Sequence, residues 1–468
     1  MQNSLLTCDQ WARKHFSSVD LGDCRLSCRL VKVAAALASK PGGTLPAALP
    51  RWPDLKAAYR LLDNPSLTFE KAGQPHWLNT LAACSAPGRW LLIEDSTSLN
   101  FSSRTHLSGI GRIGDDRGRG INLHTNLAFA VGPLEPGEQP RLSLVGVAGQ
   151  QLWVRGEELN RGNVPLGRER KQRRFARSRE SERWGKTLAG LPAPSPGCQR
   201  IYIADRESDI YELFERCEQA ACDYVIRACQ DRALLEAPGP LMATIGQQPE
   251  LGRYQLELRA RPGTPARTVT IAIRTATVLL RAPWRPGKKS PRQMNVVQAR
   301  EINPPAGARE INWTLLTNLA CANFEEARQV VKLYACRWII EEYHKALKTG
   351  AGIEQSQLQE YTRIKALAAI LSLVAARLLG LKLEAGQDPE VLVAAGQVEP
   401  EVLQILEATF GPPKGGWTQH NLWISIARMG GYLARNSDGP PGWQTSWRGW
   451  QRLSQMVEGV LLVKPRCG

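Results

Sequence analysis

Two short apolar runs, Trp90-Leu91-Leu92-Ile93 and Ile201-Tyr202-Ile203-Ala204, each stop at an acid, the first at Glu94-Asp95 and the second at Asp205. Runs of this length and composition read as buried strands. They place Asp95 and Asp205 at the C-terminal ends of strands in one sheet, where open α/β sheets build their sites. Many α/β proteins end a strand with aspartate, so the pair alone says little about chemistry. Further strand-like runs occur at Leu127–Val131 and Leu142–Val147, and after Asp205 at Tyr224–Arg227, Tyr254–Leu258, Val269–Arg281 and Trp313–Leu316. The expectation is a mixed α/β unit over residues 73–384 with a β-rich insertion at about 220–320.

A third acid sharpens this reading. The segment from Asn323 through EEARQVVKLYACRWIIEEYHKALKTG predicts one helix, with Tyr334, Arg337, Glu341 and Lys348 at offsets 0, 3, 7 and 14, close to a single face. A carboxylate flanked by a phenol, a guanidinium and an ammonium can bind a metal at its centre and grip phosphates on either side. Chance alignment on an amphipathic helix is the alternative. Hard divalent ions take oxygen ligands, and two of them ~3.5–4 Å apart stabilise the attacking and leaving oxygens of a phosphoryl transfer. Asp95, Asp205 and Glu341 are therefore the candidate ligand set.

The flanks of the chain differ in charge. The whole sequence carries 60 Lys and Arg against 44 Asp and Glu, a net charge of +16 with a pI near 9.5, which suits a polyanionic partner. A ribosomal or membrane-surface role would fit that balance equally well. Residues 1–72 read as helical: Leu26, Leu30, Val33 and Leu37 recur at helical spacing, while Arg25, Arg29 and Lys32 fall on another face. A second helix at Pro53–Leu62 carries Lys56 and Arg60. These cations are either a nucleic-acid face or a solvated one. Residues 385–468 are electrically neutral, helix-prone and carry Trp423, Trp443, Trp447 and Trp450, which suit protein contacts or a small core of their own. The stretch 161–186 is strongly basic, either a DNA-contacting arm or a solvated linker.

Other classes find less support. No stretch approaches ~18 consecutive apolar residues, and the N-terminus lacks the apolar core and cleavage site of a secretory signal. Eleven cysteines without a CxxC pair read as reduced, mostly buried thiols rather than a disulfide framework or zinc ribbon. The six histidines form no HExxH pairing. Gly109-x-Gly111-x-x-Gly114 matches a dinucleotide fingerprint formally, but no strand runs into it and no helix pattern follows. Asp115 and Asp116, just after it, are weak further metal-ligand candidates.

The arrangement Tyr334-x2-Arg337-x3-Glu341-x6-Lys348 resembles the signature of the bacterial cut-and-paste DDE transposases of the IS-four family. The similarity extends over nearly the whole chain, through LGDCRLSCRLVKVAAALA, AYRLLDNP at 58–65, LLIEDSTSL around Asp95 and IADRESDIY around Asp205. It continues through EINPP at 301–305, RWIIEEYHKALKTGAGIE, ISIARMGGYLA and WRGWQRL. The resemblance implies an RNase H-like catalytic core with a β insertion between the second and third acids, flanked by helical N- and C-terminal domains. It implies Asp95, Asp205 and Glu341 as ligands of two Mg²⁺ ions, with Mn²⁺ as a substitute. Tyr334, Arg337 and Lys348 would hold the double-stranded transposon end, Trp313 would stack on a base flipped out beside the cut, and Arg227 would add a contact. Residues 1–72 would bind the end, through Arg25, Arg29, Lys32 and Arg60, and residues 385–468 would support a homodimer pairing two ends. The implied reaction is nicking, hairpin formation, hairpin opening and joining to target DNA, in a bacterial cytoplasm and with no membrane partner. A cleavage-only nuclease and a transposase-derived repressor are the competing expectations.

Overall fold

The computed structural model describes residues 6–114, 117–133, 139–155, 180–258, 265–284, 289–308, 310–387, 392–393, 398–435 and 438–463. Asp115, Asp116 and most of the basic stretch 161–186 lie outside the described residues. The front of the chain forms helices α1 (Cys8–Phe16), α2 (Cys24–Ser39), α3 (Leu45–Ala48), α4 (Trp52–Leu62) and α5 (Phe69–Ala83). Their starts are written in the sequence: Thr7 makes a capping box with Gln10, Asp23 caps α2, and Thr44 and Thr68 cap α3 and α5. Leu30, Val33 and Leu37 are buried along α2, as their spacing requires, while Arg25 and Lys32 are exposed.

Ten strands follow: β1 (Gly88–Asn100), β2 (Gly111–Ile113), β3 (Gly118–Val131), β4 (Leu142–Trp153), β5 (Cys198–Ala204), β6 (Asp223–Arg227), β7 (Glu250–Leu258), β8 (Arg267–Leu280), β9 (Arg292–Glu301) and β10 (Asn312–Thr317). They make one sheet in the order β2-β3-β1-β5-β6-β10-β9-β8-β7, with β4 also on β3. Its centre is parallel, β1 on β5 and β5 on β6, and its flanks are antiparallel, as an RNase H-like core requires. The strands read as an insertion prolong this same sheet outward from β6 through β10. The glycine-rich motif starts β2, and β2 turns antiparallel into β3 rather than into a helix.

One expectation about the sheet is corrected. Asp95 does not end its strand, because β1 continues for five more residues to Asn100. Ser96, Thr97 and Ser98 pair with His124, Leu123 and Asn122 of β3. The Ser96 hydroxyl lies 2.7 Å from His124 Nδ1, and Ser98 donates to Asn122 Oδ1 at 2.8 Å. These polar cross-strand pairs carry the strand past the point where apolar content stops. Asp205, by contrast, directly follows the last residue of β5.

Two helices interrupt the strands, α6 (Tyr211–Gln219) between β5 and β6 and α7 (Leu241–Gly246) between β6 and β7; after β10 come α8 (Phe324–Ala335), α9 (Ile339–Lys345), α10 (Tyr361–Gln387), α11 (Pro400–Phe410), α12 (Gln419–Met429) and α13 (Trp443–Val463). The single helix expected from Asn323 is interrupted twice, by a 3₁₀ turn at Cys336–Trp338 and a π turn at Ala346–Gly350. The segment Tyr361–Leu383 of α10 is long and apolar enough to cross a membrane by length and composition, with mean hydropathy 2.0, but 89% of it is buried inside the protein. Helices α11 to α13 close over a small cluster containing Leu406, Leu422, Ile426 and Leu453, and Trp423 and Trp450 pack on it. Those two tryptophans therefore serve a local core. The ten cysteines among the described residues are all unpaired, but only Cys84, Cys217, Cys222, Cys321 and Cys336 are buried; Cys24, Cys28 and Cys229 are exposed.

The helical front and the α/β unit share one hydrophobic cluster, from Trp11 and Phe16 to Leu379. A buried histidine pair sits in that seam. His76 Nε2 accepts the Val147 N–H at 3.0 Å, so its proton is on Nδ1, which faces His15 Nδ1 at 2.9 Å. Gly146 permits this approach, since a Cβ there would lie 2.8 Å from His76 Nε2. Burial, reinforced by the neighbouring cations, lowers His15 to about 2 and His76 to about 4. The unfolded chain therefore takes up protons below the ordinary histidine value near 6.5 that the folded chain refuses until much lower pH. Stability falls as pH drops through that window. Urea denaturation should show roughly 3 kcal/mol less of this loss between pH 7 and 5 in H15Q/H76Q than in the wild type; equal slopes would remove the pair from the account.

Candidate active site

Three elements bring the predicted acids together. Asp95 lies within β1, buried at 7% exposure, and its Oδ1 accepts the Ser96 N–H at 2.7 Å. Asp205 caps the 3₁₀ turn Arg206–Ser208, its Oδ1 accepting the Glu207 N–H at 2.9 Å. Glu341 stands in the first turn of α9, with His344 Nδ1 3.8 Å from its Oε2. Arg337, in the intervening 3₁₀ turn, places Nη1 2.7 Å from Asp95 Oδ2 and 3.5 Å from Glu341 Oε1.

The charges are mutually felt. Burial, and then the repulsion of Asp205, push the Asp95 carboxyl up to about 7, against the pull of Arg337. Glu341 stays below the ordinary range because His344 and Arg337 favour its ionised form over the cost of its burial. Among the described residues, no three acid, thiol or imidazole groups close into a ready-made metal cage; the guanidinium lies between two of the acids instead. The donors are carboxylate oxygens with no thiolate, a set that fits hard ions such as Mg²⁺ or Mn²⁺.

The other predicted contacts connect to this group pairwise. Tyr334 is buried at the end of α8, and its ring meets Trp313 of β10 edge-on, centroids 5.0 Å apart. Burial raises the Tyr334 hydroxyl, opposed by Arg337 and Arg227. Arg227, the last residue of β6, donates to the Asn312 carbonyl at 3.1 Å. Lys348 lies in the π turn; burial lowers His344, opposed by Glu341, and the Lys348 charge adds to the lowering. Trp338 does not pack the helix: it is 54% exposed beside Arg337, whose Cζ lies 5.8 Å from the indole centre. In the helical front, Arg25 is exposed and bonded to Asp23 at 2.8 Å, Lys32 and Arg60 are exposed, and Arg29 is tied to Asp54 of α4 at 3.0 Å. Arg29 thus has a structural partner that the helical spacing did not reveal.

Beneath Asp95 lies a support that sequence reasoning missed. Glu94 is fully buried and accepts hydrogen bonds from the Tyr202 hydroxyl, the Gly185 N–H at 2.8 Å and the Thr187 hydroxyl at 3.1 Å. His124 Nε2 stands 3.3 Å from it, and Trp184 meets the His124 ring edge-on at 4.7 Å. One carboxylate therefore ties β1 to β5, β3 and the segment around residue 185. In the sequence Glu94 is only the acid before Asp95 at which the apolar run stops, and no spacing marks it as buried.

Two family models match the chain: residues 8–67 match the transposase DNA-binding model, and residues 171–378 match the transposase DDE domain model. Together they span more than half of the sequence, and the second contains Asp205, Glu341 and every predicted contact from Arg227 to Lys348. Asp95 lies between the two matched stretches and enters the site through the sheet.

The Glu94 network has a measurable weight. Glu94→Ala strands the Tyr202 hydroxyl and the Gly185 N–H in the core, which should cost at least about 3 kcal/mol of unfolding free energy. Urea titration would show it, and a loss below about 1 kcal/mol would count against the hub.

Proposed function

Because the chain belongs to the DDE transposases, we propose that it excises a mobile DNA element by nicking, hairpin formation and hairpin opening at its ends, then joins the freed 3′-hydroxyls to target DNA. The observation that carries this reading is the convergence of Asp95, Asp205 and Glu341 around the Arg337 guanidinium. The spacing Tyr334-x2-Arg337-x3-Glu341-x6-Lys348 supports membership of the IS-four family and a resemblance to Tn-five transposase. Two Mg²⁺ ions, or Mn²⁺, held by Asp95, Asp205 and Glu341 would stabilise the attacking and leaving oxygens.

The chain's own residues supply position. In the first cut, water attacks the scissile phosphorus and the 3′-oxygen leaves. That 3′-hydroxyl then attacks the opposite strand, which closes the hairpin, and after hairpin opening it attacks the target. Arg337, Lys348, Arg227 and the Tyr334 hydroxyl would grip the phosphates of a duplex end, with Trp313, packed on Tyr334, as the stacking surface for a displaced base. Base-on-aromatic stacking contributes about 1–3 kcal/mol. Arg25, Lys32 and Arg60 present exposed charge for backbone phosphates of the end. Arg29 can add to that face only by leaving Asp54. The setting is the bacterial cytoplasm, on nucleoid DNA.

Dimerisation has its own support. Leu461, Leu462 and Val463 end α13 at 52%, 83% and 84% exposure, an apolar tip left uncovered among the described residues. A second copy would cover it when two ends are paired.

Two experiments test this reading. With Mg²⁺ and the DNA flanking its gene, Glu341→Gln should lower cleavage and joining by a thousandfold or more, on the order of 4 kcal/mol, while end binding persists in a gel shift. Retained joining overturns the site, nicks alone point to a nuclease, and binding without cleavage in the wild type points to a repressor. L462E/V463E should still bind single ends yet lose the paired-end complex in analytical ultracentrifugation; unchanged pairing would exclude this tip as the interface.

A further inference from the structure

We propose that Arg337 is the internal counter-ion of the DNA-free site, holding Asp95 and Glu341 in place, and that a DNA phosphate must draw its guanidinium away before divalent metal can take that position. This rests on the reading of the three acids as metal ligands. It adds a second role to Arg337, since a residue that only gripped DNA would have no need to touch the acids.

The geometry is direct. Nη1 lies 2.7 Å from Asp95 Oδ2 and 3.5 Å from Glu341 Oε1. Mg²⁺ sits about 2.0–2.1 Å from its oxygen ligands, so an ion shared by these two carboxylates falls in the space that Nη1 fills. A guanidinium and a dication cannot both occupy it: they overlap, and they repel in a cleft screened from water. The attraction extends to the whole set, for Asp95, Glu341 and Asp205 all favour the charged form of Arg337. Burial opposes that charge. The position is therefore held by the acids rather than by the surroundings.

An exit is built beside it. Arg337 keeps 14% of its side chain exposed and lies beside Trp338, which is 54% exposed. Arginine pairs bidentately with phosphate and stacks on aromatic rings, so a phosphate arriving over Trp338 offers the guanidinium what it surrenders at Asp95. The 3₁₀ turn carrying Arg337 separates α8 from α9, so the side chain can turn outward while Glu341 stays on α9. The exchange makes end binding and metal binding mutually favourable, by one reciprocal factor. It also withholds metal from a chain that holds no end.

The test reads metal directly, not catalysis. Free Mn²⁺ is followed by electron paramagnetic resonance at pH 8, with full-length protein alone and with a duplex copied from the element's end. For the wild type, the duplex should tighten Mn²⁺ binding by about tenfold or more. Arg337→Ala and the neutral, longer Arg337→Gln should bind Mn²⁺ about tenfold tighter than the wild type without DNA, and the duplex should add little. Two variants guard against one that fails to fold. Equal Mn²⁺ affinity in wild type and both variants, or an undiminished duplex effect in them, overturns the proposal. Combining either variant with Asp95→Asn should abolish the gained affinity. If the gain survives, the ion binds elsewhere and the ligand reading of the acids fails with it, whereas a wild type whose Mn²⁺ affinity depends on Asp95 but not on Arg337 sinks only the counter-ion.

Discussion

Carboxylates that must share a cation repel one another until it arrives, and every other feature of the centre of this sheet answers that repulsion. Asp95 carries most of it: buried, and facing Asp205, its carboxyl is pushed up to about 7. A chain free to relax would move the acids apart. This one is prevented from doing so because β1 is bonded on both edges, to β3 and to β5, over its whole apolar length. Beneath it, the fully buried Glu94 ties the same strand to Tyr202, Gly185 and Thr187. Hydrogen bonds below and a guanidinium above keep Asp95 and Glu341 close to one another despite that repulsion.

How much of this was legible depends on the residue. Asp205 could be placed from sequence because its strand stops where its apolar run stops. Asp95 could not, since β1 goes on through Ser96 and Ser98, whose hydroxyls are matched by His124 and Asn122 on a strand some 25 residues away. Such compensation is a property of the pair of strands, and a single-strand pattern does not contain it. The helix after Asn323 was legible as helical and as carrying Tyr334, Arg337 and Glu341, yet its two irregular turns were not. Nothing in local propensity marks them. They mark the places where this chain departs from regular α-helix beside the acids, at Arg337 and at Lys348.

Arg29 and Trp338 show the same limit from opposite sides. Helical spacing put Arg29 on a cationic face, but Asp54, on another helix, takes its charge. Trp338 carries no spacing signal that separates packing from exposure, and the structure leaves it 54% exposed beside Arg337. In both cases the surroundings in the fold, not the spacing along the chain, decide the role. Of the strongly basic stretch 161–186, the described part begins at Glu180, which pairs with Arg155 at 2.7 Å.

The sheet's continuity has a consequence for how DNA contacts relate to the acids. The insertion strands add to the same sheet through β10, so Trp313 and Arg227 sit on strands hydrogen-bonded to one another, and β6 in turn pairs with the strand that ends at Asp205. A separate domain could tilt and lose register with the site. A continued sheet cannot without breaking ladder hydrogen bonds, each a net loss of about 0.5–1.5 kcal/mol. Tyr334 closes the arrangement by packing on Trp313 from the helix that leads into Arg337 and Glu341. Strand pairing and the Trp313–Tyr334 contact thus join Arg227 and Trp313 to the helix that leads into Arg337, whose side chain stands between Asp95 and Glu341.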